Sequence, residues 1–269
     1  MGEKLNKKNT LSTNTLKIIA IAAMVCDHIP YLTESLQAQY YSFPWFLMHS
    51  AGRITAPVFF YLLALGYSRT RNANRYTLRL LVFALISYIP YIWYFENEPP
   101  NSLNFLHLNI IFTMLVGLLL IRSINEIRNT ALKSVCVILC ALIGYWCDYG
   151  LYGLAMILIC FLARGSRRGT IFGMCALIMT YFYIRTSSFF ADGISPMNYI
   201  PMLVQNSNML IYMIVILCQL LPLIIIARHR VWIPEYVEKR PSFIAKWGFY
   251  IFYPAHITAL LLIRLYFFT

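Results

Sequence analysis

Long apolar runs recur along this chain from residue 16 to the C-terminus, and no other feature of the sequence constrains the fold as much. Hydrophobic residues make up 60% of the 269 residues and charged residues only 12%, against about 25% charge in an ordinary soluble domain. Such runs cross a bilayer as α-helices, because a helix pairs its own backbone polar groups. The sequence therefore predicts an all-α, polytopic integral membrane bundle.

Nine membrane-spanning helices are predicted if each polar stretch is taken as a loop. The spans are 16–32, 45–67, 76–95, 106–121, 132–147, 151–163, 170–184, 209–227 and 247–268. They form a single transmembrane domain, 16–269, which follows a polar N-terminal tail, 1–15, where Thr13, Asn14 and Thr15 are suited to cap the first helix. The aromatic, proline-bearing segment 186–207 is either interfacial or re-entrant, and the sequence leaves this open.

The distribution of Lys and Arg tests this division and sets its orientation. Nineteen of the 22 basic residues fall at the N-terminus and in every second loop, whereas the loops of the other side contain Arg185 alone. Basic loops stay in the cytoplasm, so the N-terminus is predicted to be cytoplasmic. The net charge of +12 then follows from membrane topology, and we expect no nucleic-acid partner. Arg264, near the C-terminus, is expected to extend to the outer surface.

The seven cysteines lie almost entirely within apolar runs. Their number is odd and no CxxC pair occurs, so the sequence predicts neither a disulfide framework nor a metal site. A thiol beside Asp27 makes Cys26 an alternative candidate, as a thioester nucleophile.

Asp27 and His28 lie inside the first apolar run, where an ionisable group costs at least a few kcal/mol and usually faces the bundle interior or a wet cavity. We take this pair as the centre of a buried site; the alternative is a structural polar pair that holds helices together. Adjacent residues lie about 100° apart around a helix. Asp27 is therefore expected to bind a neighbouring helix through Arg53, and not to relay protons directly to His28.

Polar residues of other spans fall at a similar predicted depth. They are Arg53, Asn109 and Thr113 in the outer half of the membrane, Asp148 and Tyr149 at the outer turn between the fifth and sixth spans, and His256 near the middle of the membrane. Because they come from different helices, a common polar cavity explains their agreement in depth better than scattered structural roles do.

Spacing within two helices agrees with such a cavity. Arg53, Pro57 and Tyr61 recur at i, i+4 and i+8, so a continuous helix would present them on one face. On the last span, Lys246, Phe249, Tyr253 and His256 also share a face.

Six motifs, in this order, resemble the TraX family of bacterial membrane proteins. They are LKIIAIAAMVCDH (16–28), GRITAPVF (52–59), RYTLRLLVFALISYIP (75–90), LNIIFTMLVG (108–117), DYGLYGLAMIL (148–158) and KWGFYIFYPAHITALL (246–261). The resemblance implies an integral-membrane acetyltransferase of the bacterial cytoplasmic membrane, similar in plan to the wider membrane acyltransferases.

Such an enzyme takes an acetyl group from cytosolic acetyl-CoA, its co-substrate, and places it on an amine or hydroxyl at or beyond the outer half of the membrane. The implied acceptor is a pilin-like protein N-terminus or a cell-surface glycan. Membrane lipid surrounds the chain, and assembly into a homo-oligomer is left open. The family's polar motif positions fall here on Asp27, His28, Gly52, Arg53, Asn109, Tyr149, Gly150, Phe252, Tyr253 and His256.

We expect His28 to be the general base, since an unperturbed histidine titrates near neutral pH, and His256 to be the second candidate or an acid partner. Arg53, held by Asp27, is expected to stabilise the oxyanion or to hold the CoA pyrophosphate, and Asn109 to donate to the thioester carbonyl. The remaining candidates for CoA binding are Tyr253 and the basic residues Arg69, Arg71, Arg75, Arg79, Arg167, Arg168 and Lys246.

Two other classes of protein fit the same residues. In a transporter or permease, the buried charges would form a substrate or proton path. In a non-catalytic component of a pilus or secretion apparatus, they would only hold helices together.

Overall fold

A computed structural model describes residues 10–32, 43–102, 104–191, 207–232 and 243–268. Over these residues the chain is a bundle of helices, with isolated β-bridges at Leu11–His229 and Leu108–Cys147. The helices are α1 (Thr13–His28), α2 (Phe43–Gly52), α3 (Thr55–Arg69), α4 (Ala73–Phe95), α5 (Ile110–Glu126), α6 (Thr130–Tyr145), α7 (Gly150–Leu162), α8 (Arg167–Ala191), α9 (Ser207–Leu217), α10 (Leu221–Ala227) and α11 (Phe243–Phe267). The predicted all-α architecture is confirmed.

Three helical stretches of the described residues are long and apolar enough to cross a membrane. They are Thr13–Leu32, Ala73–Phe95 and Trp247–Phe267, in the first, third and last predicted spans. Thr130–Tyr145, Gly150–Leu162 and Met213–Ala227 are shorter apolar helices.

Helix α3 lies at the centre of the bundle. Every residue from Thr55 to Ala64 is buried, and α3 packs against α1, α7, α5 and α10. Helix α4 packs most extensively on α11, and α5 on α7. The outer helices instead keep apolar faces exposed, such as Val135, Ile138 and Leu142 on α6. An exposed apolar stripe of this kind suits contact with hydrocarbon.

The second predicted span is not one helix, which corrects the expected alignment of Arg53, Pro57 and Tyr61. Helix α2 ends at Gly52 and α3 begins at Thr55, with Arg53 and Ile54 in the turn between them. Pro57 explains the break, because proline lacks an N–H and its ring clashes with the carbonyl four residues earlier. In the first turn of α3, that missing N–H costs nothing.

Other boundaries also differ from the predictions. Ser12 caps α1, accepting from the Thr15 N–H at 3.1 Å, in place of Thr13, Asn14 or Thr15. The eighth predicted span is divided by a 3₁₀ turn, Cys218–Leu220, next to Pro222. The seventh continues as α8 to Ala191, so the beginning of the segment 186–207 is helical, and 192–206 lies outside the described residues.

Arg264 does not extend to the outer surface as predicted. It is 7% exposed and donates to the carbonyls of Tyr94 and Trp93, each at 2.7 Å, and to Asn97 Oδ1 at 2.6 Å. These acceptors lie at the C-terminal end of α4, where helix carbonyls lack partners within the helix. A nearby set of unpaired carbonyls therefore holds the guanidinium inside the bundle.

The two ends of the bundle differ in character. At one end, Arg122 donates to Glu126, Thr77 and Asn74, which joins the C-terminus of α5 to the N-terminus of α4. We call this the arginine-rich end, since Arg69, Arg71 and Arg75 lie there, on α3 and α4 and the turn between them. At the opposite end, Tyr94 Oη donates to the His28 carbonyl at 2.8 Å and joins α4 to α1.

Candidate active site

A cavity of about 440 Å³ opens at the opposite end of the bundle, within the size range of small-molecule sites. Its wall is built from the C-terminal ends of α1 and α4, the N-terminal ends of α5 and α7, and parts of α8 and α11. The predicted candidates that line it are Asp27, His28, Arg53, Asp148, Tyr149 and Tyr253. Residues far apart in the sequence thus share one chamber, as their depth indicated.

His28 is hydrogen-bonded to His256, on the last helix. His28 Nδ1 and His256 Nε2 are 2.8 Å apart, and the two rings are nearly parallel, at 12°. His256 Nδ1 lies 3.0 Å from the Phe252 carbonyl oxygen, which only accepts hydrogen bonds, so Nδ1 carries the proton.

The Phe252 carbonyl determines the tautomers of His256 and His28. In neutral His256, Nε2 is the acceptor, and His28 Nδ1 must donate to it. Nε2 of His28 is then left with a lone pair and has no hydrogen bond to a described residue. The hydrogen-bond chain therefore leaves a free acceptor on His28, while His256 orients the His28 ring.

Asp27 binds Arg53, as predicted from the angular separation of Asp27 and His28. Arg53 Nη2 lies 3.2 Å from Asp27 Oδ1 and 3.3 Å from Oδ2, and Arg53 Nε donates to the His49 carbonyl at 3.3 Å. Arg53 Nη1 makes no hydrogen bond to a described residue, and the side chain lines the cavity. One guanidinium nitrogen therefore remains for a ligand.

His49 also belongs to this group, although it is not among the residues predicted from the sequence. Its Nδ1 lies 2.6 Å from Asp27 Oδ1, and its ring packs on Trp45 at 4.2 Å between centroids. His49 is 4% exposed, and its buried Nε2 has no hydrogen-bond partner among the described residues. The one available signal was its spacing of four residues from Arg53.

Gly52 lets α2 approach Asp27 closely. A Cβ at this position would meet the Asp27 carboxyl group. Glycine is thus required by the close packing of the turn against the carboxylate, which accounts for the Gly-Arg pair of the motif.

Asn109, which was predicted to donate to the thioester carbonyl, is not among the described residues that line the cavity. Asn109 is fully buried, its Oδ1 accepts from the Ile111 N–H at 2.9 Å, and its Nδ2 donates to the Ala84 carbonyl at 3.1 Å. It caps α5 and fastens α5 to α4. Because both polar atoms are engaged, Asn109 positions the cavity wall and does not reach the cavity.

The inward face predicted for the last helix is confirmed where side chains are described. Phe249 stacks on Phe59 at 4.0 Å, Tyr253 lines the cavity, and His256 binds His28. Tyr61, by contrast, turns away from the cavity, and its Oη lies 2.8 Å from Nδ1 of buried His229.

The basic residues that were expected to bind CoA and whose side chains are described do not line the cavity. Arg69, Arg71 and Arg75 are exposed at the arginine-rich end, and Arg79 lies over the rings of Tyr76 and Trp247 at 5.5 and 5.7 Å. Arg167 and Arg168 begin α8, and Lys246 is in the first turn of α11. Among the described residues that line the cavity, Arg53 is the only Lys or Arg.

Among the described residues, no three His, Cys, Asp or Glu side chains come close enough together to bind a metal ion. All seven cysteines are free thiols, and Cys26 is half-buried.

Comparisons with known proteins cover nearly the whole chain. A family model described as TraX protein matches residues 12–264. A protein of Dichelobacter nodosus, named probable fimbrial assembly protein FimC, serogroup H1, is 24% identical over 260 residues, which are 95% of this chain and 97% of that protein. No solved structure matches.

Proposed function

Because the chain belongs to the TraX family, we propose that it is a membrane-bound acetyltransferase that moves an acetyl group from cytosolic acetyl-CoA to an amine or hydroxyl acceptor at the far side of the membrane. The observation that carries this proposal is that His28, which is hydrogen-bonded to His256, lies with Arg53 on the wall of one cavity. A base with a lone pair and a cation with an unused donor are the two groups that acyl transfer needs.

In the proposed reaction, His28 Nε2 takes the proton of the acceptor as its nitrogen or oxygen attacks the thioester carbonyl carbon. The C–S bond then breaks, and the CoA thiolate leaves and takes the proton from His28. Arg53 Nη1 stabilises the oxyanion between these steps, since a fixed charge in a cavity of low dielectric is worth more than in water. Acetylated acceptor and CoA thiol are formed in equal amounts.

CoA binding is proposed to divide between the two ends of the bundle. Its phosphates are negatively charged, and Arg53, which is occupied by Asp27, is the only cation among the described residues of the cavity wall. The exposed arginines of the arginine-rich end suit phosphate groups better.

We also propose the nine-span topology, with the arginine-rich end at the cytoplasmic face. The Lys and Arg distribution and the apolar helices support it. Green fluorescent protein fused after Arg71 is expected to lie in the cytoplasm and to fluoresce. The same reporter fused after Asn101 is expected to be exported through the Sec system and to stay dark. Equal fluorescence at both sites would contradict this topology.

Purified protein in nanodiscs, incubated with acetyl-CoA and a candidate acceptor, tests the function. The two acceptors to compare are a peptide with a free pilin-like N-terminus and a surface oligosaccharide. Free CoA thiol is expected to appear together with an equal amount of acetylated acceptor, measured by mass spectrometry. Absence of release with every acceptor would exclude the enzyme, and solute uptake by proteoliposomes would then favour a transporter.

A non-catalytic role in pilus or fimbria assembly is the second candidate, and the name of the Dichelobacter nodosus relative favours it. Both candidates describe a pilus-related membrane protein. The His28→Asn variant, expressed in cells that lack this chain, separates the two candidates. If the chain is an assembly component, the variant restores pili. If the chain is an acetyltransferase, the variant leaves the acceptor unmodified.

A further inference from the structure

Asp148 differs from the other carboxylates of the cavity wall. Among the described residues, three carboxylates line the cavity: Asp27 is bound to Arg53 and His49, and Glu96 lies 2.7 Å from His107. The Asp148 side chain has no hydrogen bond or ion pair with any described residue. The carboxylate is exposed to the cavity without a protein partner, which leaves it available to a ligand.

The backbone holds Asp148 in a fixed position. Its N–H donates to the Leu108 carbonyl at 2.8 Å, and the Leu108 N–H donates to the Trp146 carbonyl at 3.1 Å. The chain then enters α7 through Gly150, whose φ of 51° is in the left-handed region that favours glycine. Because this turn is tied to the start of α5, the carboxylate is aimed at the cavity before any ligand arrives.

Tyrosines form the wall around this carboxylate. Tyr149 follows it directly, Tyr152 and Tyr181 pack with ring centroids 4.4 Å apart, and Tyr253 faces them from α11. Aromatic faces attract cations and stack on the apolar faces of sugars, and carboxylates accept hydrogen bonds from N–H and O–H groups. Three carboxylates and one guanidinium also leave the wall with a negative balance, which repels anions.

We propose that Asp148 and the tyrosines beside it form the acceptor subsite, which binds an uncharged or cationic group that donates hydrogen bonds and rejects phosphorylated groups. The inference rests on the proposed function, because it takes the bound group to be the acetyl acceptor. Arg53 and His28 then act on the thioester and the nucleophile, while Asp148 holds the acceptor.

A dependence on pH follows for binding at this subsite. Asp148 lies in the turn between α6 and α7, outside the helical spans, and is exposed to the cavity. Desolvation by the surrounding protein raises the pKa of its carboxyl to about 6. The other charged or titratable groups around the cavity are Arg53, Asp27, His28, Glu96 and the tyrosines. Above about pH 6 the carboxylate is ionised and accepts hydrogen bonds, so binding is expected to weaken as the pH falls through this value.

Binding of three small probes in nanodiscs, without acetyl-CoA, tests the subsite. The probes are alanine amide, a cation; methyl glucoside, an uncharged polyol; and glucose 6-phosphate, an anion. Alanine amide, methyl glucoside or both are expected to raise the Tm of the protein. Glucose 6-phosphate is expected to leave the Tm unchanged. Asp148→Asn is expected to weaken binding about 10- to 100-fold, the value of a charge-assisted hydrogen bond, and to remove its pH dependence.

Glu98→Gln is the matched control, because Glu98 lies at the same end of the bundle, exposed, and accepts from Asn101 outside the cavity. Asp148→Ser replaces Asp148→Asn if the latter does not fold. Preference for glucose 6-phosphate, failure of all three probes to bind, or unchanged binding in the Asp148 variants would overturn the inference. Since no acetyl transfer is needed, the result is separate from the CoA-release test.

Discussion

His28→Asn is expected to reduce the proposed acetyl transfer by about 100- to 10,000-fold, the usual contribution of a general base. The asparagine side chain keeps an N–H near the position of Nδ1, so it can still donate to His256, but it has no counterpart of Nε2. The bundle should therefore remain folded while the reaction loses its base. The measurement is the initial rate of CoA thiol release in nanodiscs.

Two variants of His256 separate a base from a residue that orients the base. His256→Gln retains an oxygen near the position of Nε2 that can accept from His28, whereas His256→Leu removes the acceptor. We expect a smaller loss in His256→Gln than in His256→Leu. His107→Gln is the control, since His107 lies outside the pair and is half exposed. If His28→Asn released CoA thiol about as fast as the His107→Gln control, His28 would not be the base.

Asp27→Asn is expected to lower the free energy of unfolding by about 3 kcal/mol, near the lower limit for removing one partner of a buried ion pair. The lower limit applies because the side chains of Arg53 and Asp27 are 25% and 17% exposed. For a chain of this size, the loss corresponds to a fall in Tm of about 6–12 °C. Thermal unfolding in detergent, followed by circular dichroism, measures it.

The double variant Asp27→Asn/Arg53→Gln distinguishes an ion pair from two independent losses. Removal of both charges leaves no uncompensated cation, so the double variant should be more stable than the sum of the single effects. The control is His49→Asn, which retains a donor near Nδ1 for Asp27, compared with His49→Leu, which does not. Strict additivity, or equal effects of the two His49 variants, would show that Asp27 does not hold this group together.

The membrane class and the location of the site were determined by the sequence alone. Apolar runs and the costly Asp27–His28 pair are local properties, and a bilayer leaves few folds that satisfy them. Helical geometry also separated the directions of Asp27 and His28, which bind Arg53 and His256 respectively. The helical spacing of Phe249, Tyr253 and His256 likewise identified the inward face of the last helix.

The hydrogen-bond partners were decided only by the tertiary structure. His49 lies beside Asp27 because Gly52, which has no side chain, lets α2 pack closely against that carboxylate. Asn109 joins α5 to α4 because its two polar atoms bind backbone groups of these helices. Arg264 stays inside because the end of α4 offers it carbonyls. A side chain takes the partner that packing brings within about 3 Å, and residues 228 positions apart, such as His28 and His256, meet only when the helices have packed.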